Sequence, residues 1–322
     1  MSNRELHDWQ RAVVTESRPV ARGVRRIVLD LPGRPAARPG SHLDVLLPLA
    51  SGEVVRSYSV VDDGRFPDHL SLGVRLDPNS SGGSAHMHLL RPGDEVITSA
   101  PVQTFDLSWG RPRYTLLAGG IGITPLVGMA RRLRAVGADY RLVYVGRTRE
   151  AMPFVDDLLA DHAGRVQLHV GSEQGRIDID ALIRELPADT EFYVCGPIEM
   201  LAAAKRCWAA DGRRADRLRF ETFGSGGTRA SVAFRVVVPR LGVDEVVPAD
   251  RTLLDVLDRA GAEVMSDCLR GECGLCLVNV IDHQQEIDHR DVFLSDRQQA
   301  EGDRLCACVS RCRGGTLTID VP

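Results

Sequence analysis

Apolar and β-branched residues near the start of the chain come in short runs, Val13-Val14-Thr15, Val24–Leu29 and His42–Leu47, broken by Pro32-Gly33 and Pro39-Gly40. Turn dipeptides at that density between such runs predict an antiparallel barrel or sandwich. Val54–Val61 and Leu70–Leu76 continue the strands, and the Ser/Gly-rich stretch from Asn79 to Ser84 opens a helix that reaches His88. From Tyr114 the period changes. Tyr114–Ala118 is the continuous apolar run of a buried strand, Gly119–Gly122 is a turn, and residues 126–136 carry helical spacing. With the strand Arg141–Val145 they make a βαβ unit of a parallel sheet. The alternation continues through helix Phe154–Asp161, strand Val166–Val170, helix Asp180–Leu186, strand Glu191–Val194 and helix Glu199–Ala210. Gly224-Ser225-Gly226-Gly227 then reads as a linker. Beyond it come strand Val232–Val238, helix Leu253–Ala260, a cysteine loop, strand Leu277–Ile281 and a closing strand Leu317–Val321.

The cysteine loop carries the sharpest chemistry. Cys268, Cys273 and Cys276 stand at C-x4-C-x2-C, and Cys306, Cys308 and Cys312 follow about 30 residues on. That is the plant-type ferredoxin spacing, in which four thiolates hold a 2Fe–2S cluster. Gly271 and Gly274 suit a loop curling around an inorganic core with its amides turned inward. A structural zinc site more often takes two short C-x2-C pairs, and a disulfide framework belongs to short secreted chains. Simple counting from Cys276 selects Cys306 as the fourth ligand.

Composition narrows the partners. With 40 Lys and Arg against 44 Asp and Glu the formal charge is −4, which makes no electrostatic case for nucleic acid. There is no apolar leader at Met1–Asp8 and no run of about 18 apolar residues, so a cytoplasmic protein with no membrane partner is expected. A reducing compartment favours metal ligation by the eight cysteines over disulfides.

Other candidates sit at strand ends and turns. Arg56-Ser57-Tyr58-Ser59 offers a guanidinium, a phenol and hydroxyls in close register, suited to a phosphate and a ring edge. Ser81, Gly82, Gly83 and Ser84 open a helix with free amides for an anion. Gly119–Thr124, Gly146-Arg147-Thr148 and Cys195-Gly196-Pro197 all fall at the C-terminal ends of parallel strands, where open α/β sheets bind ligands. The glycine turn is not the G-x-G-x-x-G dinucleotide fingerprint. Glu173, after the strand Val166–Val170, can accept both ribose hydroxyls and repel a 2′-phosphate, whereas Arg147 and Arg149 can pair with one.

Taken in order, the R-x-Y-S segment, the Gly119–Pro125 and Cys195-Gly196-Pro197 turns and the terminal cysteine loop resemble the phthalate dioxygenase reductase family over essentially the whole chain. The resemblance implies three domains: a flavin-binding antiparallel β-barrel over residues 1–110, an NAD-binding α/β parallel-sheet domain over 111–224, and an α+β (β-grasp) plant-type ferredoxin domain over 229–322. It implies FMN, NADH and a 2Fe–2S cluster as cofactors. Arg56, Tyr58 and Ser59 then bind flavin, and Ser81–Ser84 its phosphate. Gly73, Val74 and Arg75 line the flavin, and Gly120 and Thr124 lie between flavin and nicotinamide. Gly146, Arg147, Cys195 and Pro197 fall on the nucleotide side, and Phe223 stacks on the isoalloxazine. The family's tail, C-V-S-R before a closing strand, matches Cys308-Val309-Ser310-Arg311 and makes Cys308 the fourth cluster ligand. Cys312 is the poorest match. The implied partner is the oxygenase component of a Rieske-type aromatic oxygenase or O-demethylase. A haem monooxygenase is the alternative partner, and a redox-sensing or zinc-stabilised nucleotide-binding protein the alternative class.

Overall fold

The computed structural model describes residues 9–33, 37–49, 52–66, 68–77, 82–223 and 231–321; the candidate Ser81 and the Gly/Ser linker lie outside the described residues. Strands β1 (Gln10–Ala21), β2 (Val24–Asp30), β3 (Ser41–Leu49), β4 (Gly52–Ser59) and β5 (Leu70–Arg75) are followed by α1 (Gly83–Leu89), β6 (Glu95–Thr98) and β7 (Val102–Gln103). Their order is β4-β3-β6-β1-β2-β5, with β7 on β3. The bridge between Val60 and Leu72 brings the end of β4 back to β5 and closes the barrel. The inward positions of these strands, among them Ala12, Ile27, Leu29, Leu43, Val45, Leu47 and Leu72, form its core.

Strands β8 (Arg113–Gly119), β9 (Tyr140–Gly146), β10 (Val166–Val170), β11 (Thr190–Cys195) and β12 (Leu218–Glu221) form an all-parallel sheet of order β10-β9-β8-β11-β12. Helices α2 (Ile123–Ala135), α3 (Val155–Asp161), α4 (Gly171–Gln174), α5 (Ile179–Arg184) and α6 (Ile198–Ala210) connect them. The central strand β8 is buried along Tyr114–Gly119, as its unbroken apolar run requires. One sheet face packs on α2 together with barrel residues Val61, Phe105 and Leu107. The other packs on α5 and α6 and takes in Val292 from the last third of the chain.

The last third holds β13 (Phe234–Val238), β14 (Val243–Val247), α7 (Leu253–Arg259), β15 (Leu277–His283), β16 (Ile287–Asp288), α8 (Asp296–Glu301), β17 (Arg304–Cys306), β18 (Arg311–Cys312) and β19 (Thr316–Asp320). The mixed sheet β14-β13-β19-β15-β17 wraps α7 in the manner of a β-grasp, with β13 and β19 parallel at its centre. Thr252 and Asp255 form a capping box that starts α7. No helix among the described residues is long and apolar enough to cross a membrane.

Candidate functional site

The turns after β8 and β11 meet backbone to backbone. A Cβ on Gly122 would lie 2.2 Å from the Cys195 carbonyl oxygen, and one on Gly196 would lie 2.9 Å from the Gly119 Cα. Gly119 is equally closed off, 2.6 Å from Pro197 Cδ. Three of the four glycines therefore serve the mutual packing of two turns. Gly120 differs: its φ is +55° and the space where a Cβ would stand is open, so this is the side a ligand can approach. Thr124 is buried, donates its hydroxyl to the Ile121 carbonyl at 2.9 Å, and sets its methyl where a Cβ on Gly73 would be 2.7 Å away. Gly73 thus lets the nucleotide-side helix α2 press against the barrel strand β5. Cys195 is fully buried, and desolvation, with the Glu221 and Glu272 carboxylates behind it, pushes its thiol well up and keeps it neutral.

Strand alternation divides R-x-Y-S between two faces. On β3 and β4, Val45 stands opposite Arg56 and Leu43 opposite Tyr58, while Asp44 faces Ser57 and His42 faces Ser59. Arg56 and Tyr58 share the side of the core residues Leu43 and Val45, and burial raises the Tyr58 phenol far above its ordinary range. Arg56 donates to the carbonyls of Val55 (2.8 Å) and Asp250 (3.3 Å), and its Cγ would lie 3.2 Å from a Cβ on Gly83. The guanidinium and the start of α1 are therefore neighbours, with Gly82 at φ +99° turning the chain into the helix. Ser84 accepts the Asp77 N–H and orders that entry. Val74 is a core residue and Arg75 an exposed one, so neither side chain joins the turns.

The face of β4 turned away from the barrel core starts a polar chain that joins the barrel, the end of β12 and the cysteine loop. Ser57 donates to Asp44 at 2.5 Å, His42 lies 3.7 Å from Asp44, and Thr104 lies 3.4 Å from the other His42 nitrogen. Arg270, from the cysteine loop, donates to Thr104 and to Glu221 at the end of β12. The Ser59 hydroxyl closes the chain on the second Glu221 oxygen at 3.4 Å. Glu221 is 1% exposed, and burial pushes its carboxyl up to about 7 while the Arg270 guanidinium pulls it down. None of Asp44, Thr104, Glu221 or Arg270 stood out in the sequence. The one available signal was Glu221 itself, an acid ending the edge strand Leu218–Glu221 two residues before Phe223. Phe223 is half-buried against the α/β core.

The cysteine loop curls as its glycines require. Leu269, Gly271 and Gly274 have φ of 53°, 72° and 76°. A Cβ on Gly271 would strike Val309 and Asp291, and one on Gly274 would lie 2.4 Å from the Phe293 ring. The amides of Arg270, Glu272 and Cys273 all turn onto Cys268 Sγ at 3.3–3.4 Å. Thiols stand in pairs: Cys268 bonds Cys273, and Cys276 Sγ lies 3.2 Å from Cys308 Sγ. Among the described residues no three His, Cys, Asp or Glu side chains converge tightly enough for a single ion. Paired thiols with amides aimed at sulfur fit a two-iron cluster, which takes four thiolates, two to each iron. Cys306 also donates to Cys276, and together with Cys308 it holds that thiol down at about 3. Cys312 instead donates to the carbonyls of Gln285 and Gly314, away from the loop.

The outer nucleotide-side candidates lie along the same sheet edge without joining the turns. Glu173 is exposed on α4, directly after β10, and Arg147 is exposed after β9. Arg149 is paired with Asp156 at 2.9 Å. Gly146 is demanded by packing, since a Cβ there would lie 2.2 Å from Met152 Cγ.

A barrel, a parallel sheet and a β-grasp sharing one polar seam define a modular flavin and iron–sulfur reductase. Residues 238–313 match the model of the 2Fe-2S iron-sulfur cluster binding domain. The vanillate O-demethylase oxidoreductase of a Pseudomonas species is 36% identical over 293 residues, covering 89% of this chain and 91% of its own. The structure of phthalate dioxygenase reductase, "a modular structure for electron transfer from pyridine nucleotides to [2Fe-2S]", superposes with a TM-score of 0.79 at 30% identity, covering 98% of each chain. An intact type IV self-sufficient cytochrome P450 monooxygenase matches with a TM-score of 0.67 at 34% identity, covering 97% of this chain and 41% of that one. The chain belongs to the phthalate dioxygenase reductase family. It is an oxidoreductase, the electron-transfer reductase component of an oxygenase system, with flavin, pyridine nucleotide and a 2Fe–2S cluster as cofactors.

Proposed function

We propose that this reductase takes electrons from NADH through FMN to a cluster on Cys268, Cys273, Cys276 and Cys308, and delivers them to a Rieske-type oxygenase in the cytoplasm. The observation that carries the reading is the contiguity of the cysteine loop with the strand-end turns, through Arg270 and Glu272 onto Glu221, Thr222 and Thr104. Flavin supplies the conversion between a two-electron nicotinamide and a one-electron cluster. The chain's residues bind, orient and exclude water. Arg56 and the amides at Gly82–Ser84 hold the flavin phosphate. Gly120 gives the ring access beside Thr124, Phe223 covers it, and the buried Cys195 closes the nucleotide side. No side chain needs to act as a general acid or base. The proposed domains are 1–110, 111–224 and 229–322, in keeping with four sheets among the described residues, the first in the barrel, the second in the α/β part and the last two in the final third, whose strands do not interchange.

NADH is favoured by Glu173, which is exposed just after β10, and by Arg149, which already has Asp156 as partner. FMN is favoured by family membership. The Rieske assignment is supported by relatives whose names are those of a vanillate O-demethylase and a phthalate dioxygenase. A haem partner is the second reading, favoured by the match of nearly the whole chain to part of a cytochrome P450 monooxygenase.

Cys273→Ser tests the relay. Reduction of a one-electron protein acceptor is expected to vanish while NADH-dependent ferricyanide reduction at the flavin survives. Equal loss of both activities overturns the order of the relay. Turnover with a purified Rieske oxygenase, against turnover with a haem monooxygenase, separates the two partners.

A further inference from the structure

Arg270 is buried to 7% side-chain exposure, yet it belongs to the cysteine loop. Its two terminal nitrogens go to different domains: one to Glu221 at the end of β12, the other to the Thr104 hydroxyl of the barrel. Its Nε returns to the Cys268 carbonyl at 3.2 Å, so the same plane that spans the seam also holds the loop backbone. A guanidinium presents donors in a fixed fork, which makes such a junction directional in a way an ammonium cannot. Beside it the Glu272 carboxylate accepts the Thr222 amide and, at 2.8 Å, the Thr222 hydroxyl. Seams between domains of one chain move by default unless they are large and apolar. This seam is polar where the cysteine loop lies.

Other ties hold the last domain independently of Arg270. Lys205 on α6 donates to the Val292 carbonyl at 2.5 Å, Val292 packs into the outer α/β core, and Arg56 reaches the Asp250 carbonyl. Removing the Arg270 side chain therefore loosens the loop, which Thr222 still holds through Glu272 and the Arg270 carbonyl, without releasing the domain.

We propose that Arg270 is a positioning residue for electron transfer from flavin to cluster, a three-way clamp that fixes the cysteine loop against the barrel and the end of β12. This rests on the relay read above. One electron leaves the reduced flavin and enters the oxidised cluster, with no covalent bond made or broken, so the step depends on placement. Misplacement by about 1 Å can cost a positioned reaction about a hundredfold.

The test compares Arg270→Gln with Arg270→Lys and with Thr104→Val, which cuts the barrel arm from outside the loop. Stopped-flow absorbance after mixing with NADH follows flavin reduction and cluster bleaching separately. Hydrogen exchange reports residues 219–223 and 268–273 whatever the activity. In Arg270→Gln, flavin reduction is expected to stay within about twofold, cluster bleaching to slow about tenfold or more, and exchange in both segments to rise. Thr104→Val is expected to show a smaller slowing of the same kind, and Arg270→Lys to recover part of the rate. Equal slowing of both phases, unchanged exchange, or raised exchange with bleaching at the wild-type rate each overturns the clamp. Should the wild-type cluster stay oxidised under excess NADH, the relay itself fails, and the clamp then stands or falls on the exchange data.

Discussion

Gly122 lies directly under the Cys195 carbonyl, where a Cβ would come within 2.2 Å of the oxygen. Its φ of −62° is one that any residue adopts, so space alone forbids a side chain there. Gly122→Ala is expected to push the two turns apart, lower stability by about 1–3 kcal/mol and raise the KM for NADH. Steady-state kinetics beside urea denaturation checks it. Gly120→Ala is the contrast: it meets no atom and pays only for its positive φ, about 1 kcal/mol.

Three serine variants decide the fourth cluster ligand. Cys308→Ser is expected to lose iron and sulfide, whereas Cys306→Ser and Cys312→Ser retain them and keep the visible spectrum. Loss of iron in Cys306→Ser with retention in Cys308→Ser would reverse the assignment.

Arg26 is fully buried on β2, 2.5 Å from Asp63 and with its guanidinium 4.7 Å from the Phe154 ring centroid. The pair links the barrel to the start of α3. Arg26→Ala leaves the buried Asp63 carboxylate with only the Arg65 amide at 3.1 Å and the Arg65 guanidinium at 3.6 Å, and is expected to cost about 1–3 kcal/mol in urea unfolding, with the midpoint lowered accordingly.

Glu221 gives stability a pH slope. Its carboxyl titrates near 7 when folded, above its unfolded value, so the folded protein holds the proton more tightly. The contribution is fully present below the unfolded pKa and is lost as pH rises through about 7. Glu221→Gln removes the loss. Denaturation midpoints of wild type relative to Glu221→Gln are expected to fall between pH 5 and pH 8, about the span separating the two pKa values. A constant difference across that span would contradict the shift.

Much of the fold is legible because it rests on local signals. Tyr114–Ala118 announces a strand covered on both sides, the glycine turn and Pro125 start α2, and the cysteine spacing names its own chemistry. What stays hidden is set by pairings that no local pattern encodes. Arg270 and Glu221 are 49 residues apart, one in the cysteine loop and the other at the end of β12. Gly73 looks like a lining residue, but its reason is the methyl of Thr124. R-x-Y-S reads as one constellation, yet the two-residue period of a strand sends Arg56 and Tyr58 one way and the serines the other. Arg26 sits mid-strand in a dipeptide of arginines, and nothing nearby says which of the two is swallowed. Counting and tail context point to different sulfurs, and both of these, Cys306 and Cys308, approach Cys276 in the fold.

Lys205 is the only lysine in the chain, and it stands on the seam between α6 and the Val292 carbonyl, over the Phe220 ring at 5.2 Å. Every other side-chain cation is an arginine or a histidine, inert to acylating reagents under mild conditions. An amine-selective label therefore has a single side chain to find in this protein, at a junction between two domains. Its rate of attachment, followed by intact mass, becomes a clock for how often that junction breathes open.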